Sequence, residues 1–526
     1  MRYPAGLEVD LASPRRFSDL YEAQEKLSEA ELRFERRRRS IGFVVGPVAF
    51  VLLMVLPLGD LAAPAARLLA ILAWVLTWWL TEAVPIPVTA LLGPTLGVLC
   101  GVGPAKEMFG TFGDPIIFLF LGSFIIAEAM GASKLDRRIA FAILAGSWVG
   151  SSSKRILITF AVIVAGLSMW LSNTATTAMM YPIAMSILAE LPQHRGGEDE
   201  VGFTRLRYST ALMLTTAYAA SIGGVATPVG SPPNLIAIGQ LRTLAGIDLP
   251  FFQWMLLSSP LMVTMLVILI GYMRWALPPE VEQISGSKEH VADQRAALGR
   301  WTRAQKNSLL AFGVTVTLWV LPGILAVALG SEDPTYRAVH RHLPEAAVAV
   351  LGAVLLFVLP VDWRQRRFTI SWNDAVRIDW GTLLLFGGGL SLGGAMFRTG
   401  LARTIGNGLV SITGARSPWA LSYLFAVIST VLTETTSNTA SSTMVCPLAI
   451  AATKAAGLSP IPATVATALA ASMAFLLPVS TPPNAIIYGS GCVPITAMLR
   501  HGALLELMML ALMPAGVMVI SRFLGL

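Results

Sequence analysis

Two stretches decide how this chain is read: LSNTATTAMMYPIA, from Leu171 to Ala184, and TSNTASSTMVCPLA, from Thr436 to Ala449. Each carries Ser-Asn-Thr, a run of small residues, a methionine and a proline (Pro182 or Pro447), and the two triplets lie 265 positions apart. An uncharged polar patch is costly in apolar surroundings unless its donors and acceptors find partners. A second copy at a fixed offset implies that the patch has a task and that the chain is written twice.

The surroundings are apolar. Of 526 residues, 55% are hydrophobic and 13% charged, against about 25% charge in soluble domains, and the mean hydropathy is +0.67. Runs such as Phe43–Leu58, Leu256–Tyr272, Leu309–Leu329 and Leu504–Ile520 approach the ~20 residues that a spanning helix needs. Alternating strand-like segments are absent, which sets aside an outer-membrane barrel. The chain reads as an all-α polytopic membrane protein. Its net charge of +7 reflects topology and not a nucleic-acid partner: 28 of the 38 Lys and Arg fall in residues 1–40, 131–156, 191–208, 274–306, 361–378 and at Arg500. Those segments are read as cytoplasmic. The first 40 residues are charged and end in RFERRRRS, so no cleavable signal peptide is expected there. Phe17–Phe34 reads as an amphipathic helix on the cytoplasmic face. Cys100, Cys446 and Cys492 show no paired spacing and read as small buried residues.

The repeat extends beyond the triplets. DPIIFLFLGS from Asp114 returns as DWGTLLLFGG from Asp379, again 265 apart. GSPPN (Gly230–Asn234) returns as STPPN (Ser480–Asn484) at an offset of 250, and the difference is a polar loop, ELPQHRGGEDEVGFTRLRY, found only in the first copy. TEAVPIPVTALLGP from Thr81 weakly resembles LPEAAVAVLGAVLL from Leu343. Matched halves with matched polar breaks point to a transporter built from inverted-topology repeats. The expected fold has about 11 transmembrane helices: five per half and an extra first helix, with one re-entrant hairpin in each half and broken helices. Five spans per half invert the second copy, placing the amino terminus inside and the carboxyl terminus outside.

Consecutive prolines remove backbone donors and clash with the preceding turn, so each helix must open at its Pro-Pro-Asn. Opened backbone within a bilayer is tolerated only where protein buries it or it lines a cavity. Freed carbonyls suit an alkali cation, while freed amides and helix amino-terminal ends suit an anion. Asn can face both, since it offers a carbonyl oxygen and two N–H donors. Four residues before each triplet Ser stands another hydroxyl, Ser168 or Thr433, also 265 apart. No Lys or Arg is close in sequence, so co-bound cations would compensate a buried anion, and anion affinity would then depend on the cation. Plain helix packing also uses small and hydroxyl residues, but a duplicated triplet, hydroxyl and Pro-Pro-Asn break argue against that alone. Glu82 and Glu434 are the acids within apolar segments that draw notice. Glu82 falls at a helix end, and Glu434 is open to structural hydrogen bonding or ion coupling. Trp74, Trp78 and Trp79 read as an interfacial belt.

An enzyme is not expected. The five histidines, His194, His290, His340, His342 and His501, fall in predicted loops or at helix ends, away from both triplets. They form no Ser-His constellation and no metal-binding cluster. FGGGLSLGG has no phosphate-loop Lys. Two closed cation-and-anion sites also suit alternating access better than a pore.

The chain resembles the divalent-anion:sodium symporter family, which includes sodium-coupled dicarboxylate and citrate transporters. The likeness is carried by WWLTEAVPIPVTALL (Trp78–Leu92), SNTAT (Ser172–Thr176), TPVGSPPN (Thr227–Asn234), TETTSNTAS (Thr433–Ser441) and PVSTPPNAIIYGSG (Pro478–Gly491), and covers about residues 41–526. The resemblance implies a homodimer in the inner (plasma) membrane, surrounded by lipid, that moves a small dicarboxylate together with Na+ by an elevator motion. It implies a cytoplasmic segment at 1–40, scaffold parts at 41–153 and 307–417, transport parts at 154–278 and 418–526, and a cytoplasmic linker at 279–306. By matching positions, one sodium site would use Ser168, Ser172, Asn173 and Gly230, and the other Thr433, Thr436, Asn438 and Ser480. Substrate would lie among Asn173, Thr174, Ser231, Asn438, Thr439 and Pro482. At Thr436 and Ser480 the family pattern leads one to expect Ala. Symport of succinate, malate or fumarate leads, with exchange, citrate or sulfate as alternatives. Two sodium ions with a dianion would be electroneutral; each further net charge would be worth ~2.3 kcal/mol per 100 mV.

Overall fold

The computed structural model describes residues 29–57, 59, 61–191, 204, 206–284, 286–330 and 332–526. The amphipathic helix expected over 17–34 and the polar loop of the first half fall largely outside them.

A first helix, α1 (Glu29–Val55), precedes two series of helices that follow one plan. The first series is α2 (Ala63–Thr81), α3 (Ile86–Leu99), α4 (Ala105–Gly110), α5 (Pro115–Ala132), α6 (Leu135–Leu144), α7 (Ser153–Ser168), α8 (Asn173–Ala189), α9 (Arg207–Gly224), α10 (Pro232–Gln240) and α11 (Phe251–Ala276). Helix α12 (Ser287–Ala297) connects the halves. The second series is α13 (Arg303–Leu329), α14 (Pro334–His342), α15 (Glu345–Val358), α16 (Trp372–Ala375), α17 (Trp380–Arg398), α18 (Leu401–Thr413), α19 (Pro418–Thr435), α20 (Asn438–Ala455), α21 (Ile461–Ala471), α22 (Pro482–Tyr488) and α23 (Ile495–Phe523). Between α15 and α16, strand β1 (Pro360–Asp362) pairs antiparallel with β2 (Arg367–Phe368).

Among the described residues, seven helical segments are long and apolar enough to span a membrane, and the bent pair α14–α15 (54°) makes an eighth. The shorter pairs α7–α8 and α19–α20 form the hairpins. Helices α8 and α20 start at Asn173 and Asn438, and α10 and α22 at Pro232 and Pro482. The offsets of 265 and 250 in the sequence are therefore offsets between equivalent helices.

The local causes also repeat. Asp114 caps α5 by accepting from the Ile116 amide (2.9 Å), and Asp379 caps α17 by accepting from Thr382 N (3.1 Å). That is the role of the acid opening each copy of the first repeated motif. In FGGGLSLGG, Gly388 lies against the Ala90 carbonyl with no room for a side chain, so α17 and α3 pack backbone to backbone. All three cysteines are free, Cys446 and Cys492 buried and Cys100 half-buried.

One expectation fails. Trp79 is buried, and Trp74 and Trp78 meet edge to face at 5.2 Å while Phe50 and Phe43 pack on them from α1. Trp78 Nε1 donates to Gly42 O at 3.0 Å. The cluster is the seam between α1 and α2, because on a helix residues 74 and 78 share one face and that face meets α1.

The two halves are interlaced. The hairpin helix α8 packs on the broken helix α22, and α20 packs on α10. Buried bonds cross between halves: Ser231 Oγ to Ser472 Oγ (3.0 Å), Tyr218 OH to Phe475 O (2.8 Å) and Thr210 Oγ1 to Cys492 O (2.7 Å).

Candidate functional site

Each Ser-Asn-Thr opens a helix. Ser172 accepts from Ala175 N and Ser437 from Ala440 N, both at 3.2 Å, so each triplet Ser is an N-cap. This leaves Asn173-Thr174 and Asn438-Thr439 as the first two residues of α8 and α20, all four half-buried. Helices of 17 and 18 residues each present the positive end of the dipole and first-turn amides at their own triplet. An anion is favoured there.

The hydroxyl before each triplet, expected as an oxygen ligand, bonds to the Asn of the triplet. Ser168 Oγ donates to Asn173 Oδ1 at 2.7 Å, and Thr433 Oγ1 donates to Asn438 Oδ1 at 2.7 Å. Thr433 also lies 2.7 Å from Ala471 O, at the end of α21. Both hydroxyl residues are fully buried. With its oxygen held on this side, each Asn amide turns its N–H donors away, as a group bridging a cation and an anion must.

In the first half, backbone oxygens crowd the same place. A methyl group on Gly230 would lie 2.6 Å from Gly224 O, 2.8 Å from Met169 O and 2.9 Å from Ser168 O. One on Gly224 would collide with Asn173 Oδ1 and come within 3.0 Å of Gly230 O. Carbonyls of Ser168, Met169, Gly224 and Gly230 thus converge with the Asn173 and Ser168 side chains. Thr227 donates to Met169 O and accepts from Gly230 N (3.1 Å), tying the hairpin turn to the opened backbone. A neutral cage of hard oxygens fits a sodium ion. The resemblance supplied Ser168, Asn173 and Gly230; Gly224, Met169 and Thr227 are additions. The signal for Gly224 and Thr227 is the GGVATPVG run (Gly223–Gly230), whose small residues permit this approach; Met169 had none.

The second half is built differently. Ala474 and Ser480 stand where the first half has Gly224 and Gly230. Ser480 Oγ donates to Leu477 O at 2.6 Å, and Thr436 Oγ1 bonds to Leu432 O (2.9 Å) and to Ser441 Oγ (2.8 Å). Both stand buried in the local turns, Ser231 is buried against Ser472, and Pro482 is exposed at the start of α22.

Glu434 has a structural partner set. Its carboxylate accepts from Leu476 N (3.1 Å) and Leu477 N (3.3 Å), bracing the opened segment before α22. The Asn of each Pro-Pro-Asn is a staple, which motif reading missed. Asn234 Nδ2 donates to Gly224 O (2.9 Å) and Thr227 O (2.8 Å), and Asn484 Nδ2 to Ala474 O (3.1 Å) and Leu477 O (3.0 Å). The spans of ten and seven residues are identical in both halves. Glu82 ends α2 in a left-handed conformation (φ 48°) and faces Arg38 and Arg39 of α1 at 3.6 and 3.7 Å. Arg38 in turn reaches the second hairpin, where its guanidinium donates to Thr435 O at 2.9 Å. This bond joins residues 397 positions apart, two residues before the second triplet.

Comparisons with known proteins give the family and the fold. A sequence model described as the sodium:sulfate symporter transmembrane region matches residues 38–525. The chain is 34% identical over 465 residues to the sodium-dependent dicarboxylate transporter SdcS of Staphylococcus saprophyticus, covering 88% of this chain and 87% of that one. The SdcS protein of Staphylococcus aureus strain USA300 matches at 34% over 466 residues, with the same shares covered. Among solved structures, the YdaH transporter of Alcanivorax borkumensis, described as having an unusual topology, superposes with a TM-score of 0.50. It covers 82% of this chain and 88% of that one at 13% identity, a likeness of fold.

Proposed function

Since the chain belongs to the sodium:sulfate symporter family, and is thereby a multi-pass membrane transporter, we propose that it imports C4-dicarboxylates such as succinate, malate or fumarate together with sodium. The oxygen cage around Gly230, opening onto the capped start of α8, carries this reading. A sodium ion at Ser168, Asn173 and the carbonyls about Gly230 would supply the positive charge that the site's own side chains lack. One carboxylate would then meet the Asn173 amide, Thr174 and the α8 amides. In the second half, which is built differently, Thr433, Asn438 and the backbone at Thr436 and Ser480 would receive the second sodium, and Asn438-Thr439 the second carboxylate. A dianion with its charges at two ends matches two helix starts better than a single compact charge. Sodium-dependent dicarboxylate transport is also what the names of the SdcS relatives state of those proteins.

The motion we propose is an elevator. Parts 154–278 and 418–526, interlaced through α8–α22 and α20–α10, would move as one body against 41–153 and 307–417 in a homodimer. The membrane would be the plasma membrane, with the amino terminus inside and the carboxyl terminus outside.

The test is uptake of labelled succinate into proteoliposomes under an inward sodium gradient, compared with equal gradients of potassium and choline. Uptake with sodium alone supports symport. Uptake without sodium but dependent on succinate preloaded inside would make the protein an exchanger. If sodium drives citrate or sulfate but not succinate, the coupling stands and the substrate assignment falls.

A further inference from the structure

A cavity of about 600 Å³ lies away from the triplets, between α6, the following loop, the start of α7, the end of α8 and α12. Among the described residues, four cations line it, Arg138, Lys288, Arg295 and Arg300, and no acid does. Its walls are apolar, with Leu144, Val149, Ile156, Ile187 and Val291 among them.

The charge separation follows from helix geometry. Lys288, Val291, Ala292, Arg295 and Ala296 are spaced by three and four along α12 and form one face, which is the face on the cavity. Glu289 and Asp293 lie about a quarter-turn round and do not line it. Glu190, just past the end of α8, is engaged with His290 (3.7 Å) on another side of α12. Arg138 is a wall rather than a free charge: it donates to Leu298 O (2.7 Å) and Gly299 O (3.0 Å) and stacks over Trp301 at 5.1 Å. Lys288, Arg295 and Arg300 are exposed and available.

The depth of the cavity is marked by tryptophans. Trp148 beside it, Trp275 at the end of α11 and Trp301 just before α13 are 56%, 78% and 45% exposed. Exposed Trp at the ends of spans marks the headgroup level of a bilayer. The cavity therefore combines cations, apolar walls and interfacial depth, and it sits in segments 131–156 and 274–306, where the basic residues of the chain concentrate.

We propose that this cavity binds the phosphate headgroup of an anionic phospholipid, with Lys288, Arg295 and Arg300 holding the phosphate and the apolar wall receiving the start of an acyl chain. The inference does not depend on the transported substrate. Because Leu144 and Ile156 stand on either side of the boundary expected at residue 153, a lipid here would touch both sides of it.

The test uses the full-length protein in detergent with phosphatidylglycerol or phosphatidylcholine added, and counts retained lipid by native mass spectrometry. Wild type should keep phosphatidylglycerol through washing, and the triple variant Lys288→Gln, Arg295→Gln, Arg300→Gln should keep at least tenfold less. Arg138 is left intact because it holds the wall. An unchanged melting profile shows that the triple variant is folded; if it is not, the single variant Arg295→Gln should still give a severalfold loss. Equal retention by wild type and a folded variant overturns the proposal. Displacement of the lipid by millimolar inorganic phosphate would make this a free-phosphate site and overturn the lipid assignment.

Discussion

The guanidinium of Arg38 donates to the Thr435 carbonyl at 2.9 Å, joining α1 to the last residue of α19. Arg38 also faces Glu35 at 2.9 Å and Glu82 at 3.6 Å. A charge-assisted bond of this kind contributes about 1–2 kcal/mol when partly exposed, a factor of roughly 5–30. If α1 stays with the scaffold while α19 moves, the bond favours this one arrangement. Arg38→Gln should then raise the rate at which a thiol reagent labels a cysteine placed at Thr435, several-fold or more. An unchanged labelling rate would mean that the contact does not restrain the hairpin.

Gly230→Ala should abolish sodium-dependent uptake while leaving the protein foldable, because its methyl would stand 2.6–2.9 Å from three carbonyl oxygens. Ser480→Ala, at the equivalent position, should keep most activity, since the site there already accommodates a side chain. The check is the sodium concentration for half-maximal uptake. Equal effects of the two substitutions would contradict the asymmetry of the two sites.

Glu434→Ala removes the acceptor of two backbone amides, Leu476 N and Leu477 N. Each orphaned buried donor costs about 1–3 kcal/mol. The melting temperature should drop by several degrees and sodium-dependent uptake should fall. A variant that is inactive but as stable as wild type would assign Glu434 to ion coupling instead.

Asn234→Ala and Asn484→Ala should destabilise to a similar extent, about 2–4 kcal/mol each, since each removes two bonds across an opened turn. Thermal melting in detergent checks this. A large difference between the two would mean that one staple bears functional load beyond its bonds.

Asp136, buried at the start of α6, has its carboxyl pushed up by desolvation from 3.8 to about 6. Between these values the folded protein keeps a proton that the unfolded chain has released. Stability therefore declines as pH rises from about 4 to about 6 and stays lower above that. Asp136→Asn should raise the melting temperature at pH 8, by at most about 3 kcal/mol of stability, and change it little at pH 4. A gain equal at both pH values would point to packing and not to charge.

The repeat, the two hairpins and the hydroxyl before each triplet were legible because they recur at one spacing, and spacing is what a sequence displays; the bond from each hydroxyl to its Asn was not. The opened helices were legible because proline has few conformations. Arg38 at Thr435, Glu434 beneath Leu476 and Leu477, and the carbonyls around Gly230 were not legible. The first joins residues 397 apart, and the carbonyls belong to backbone whose direction no side chain reveals. The Trp74–Trp78–Trp79 reading failed because an aromatic facing lipid and one facing a neighbouring helix have the same local pattern.

The interlacing of α8 with α22 and of α20 with α10 bears on biosynthesis. The first hairpin leaves the ribosome some three hundred residues before α22 exists to cover it. Until then it must wait in the membrane, its polar turn met by solvent, by lipid headgroups or by an insertion factor. A chain truncated before α22 therefore lacks the packing partner of its first hairpin. The same feature predicts that the two halves, expressed as separate polypeptides, acquire protease resistance only when made together.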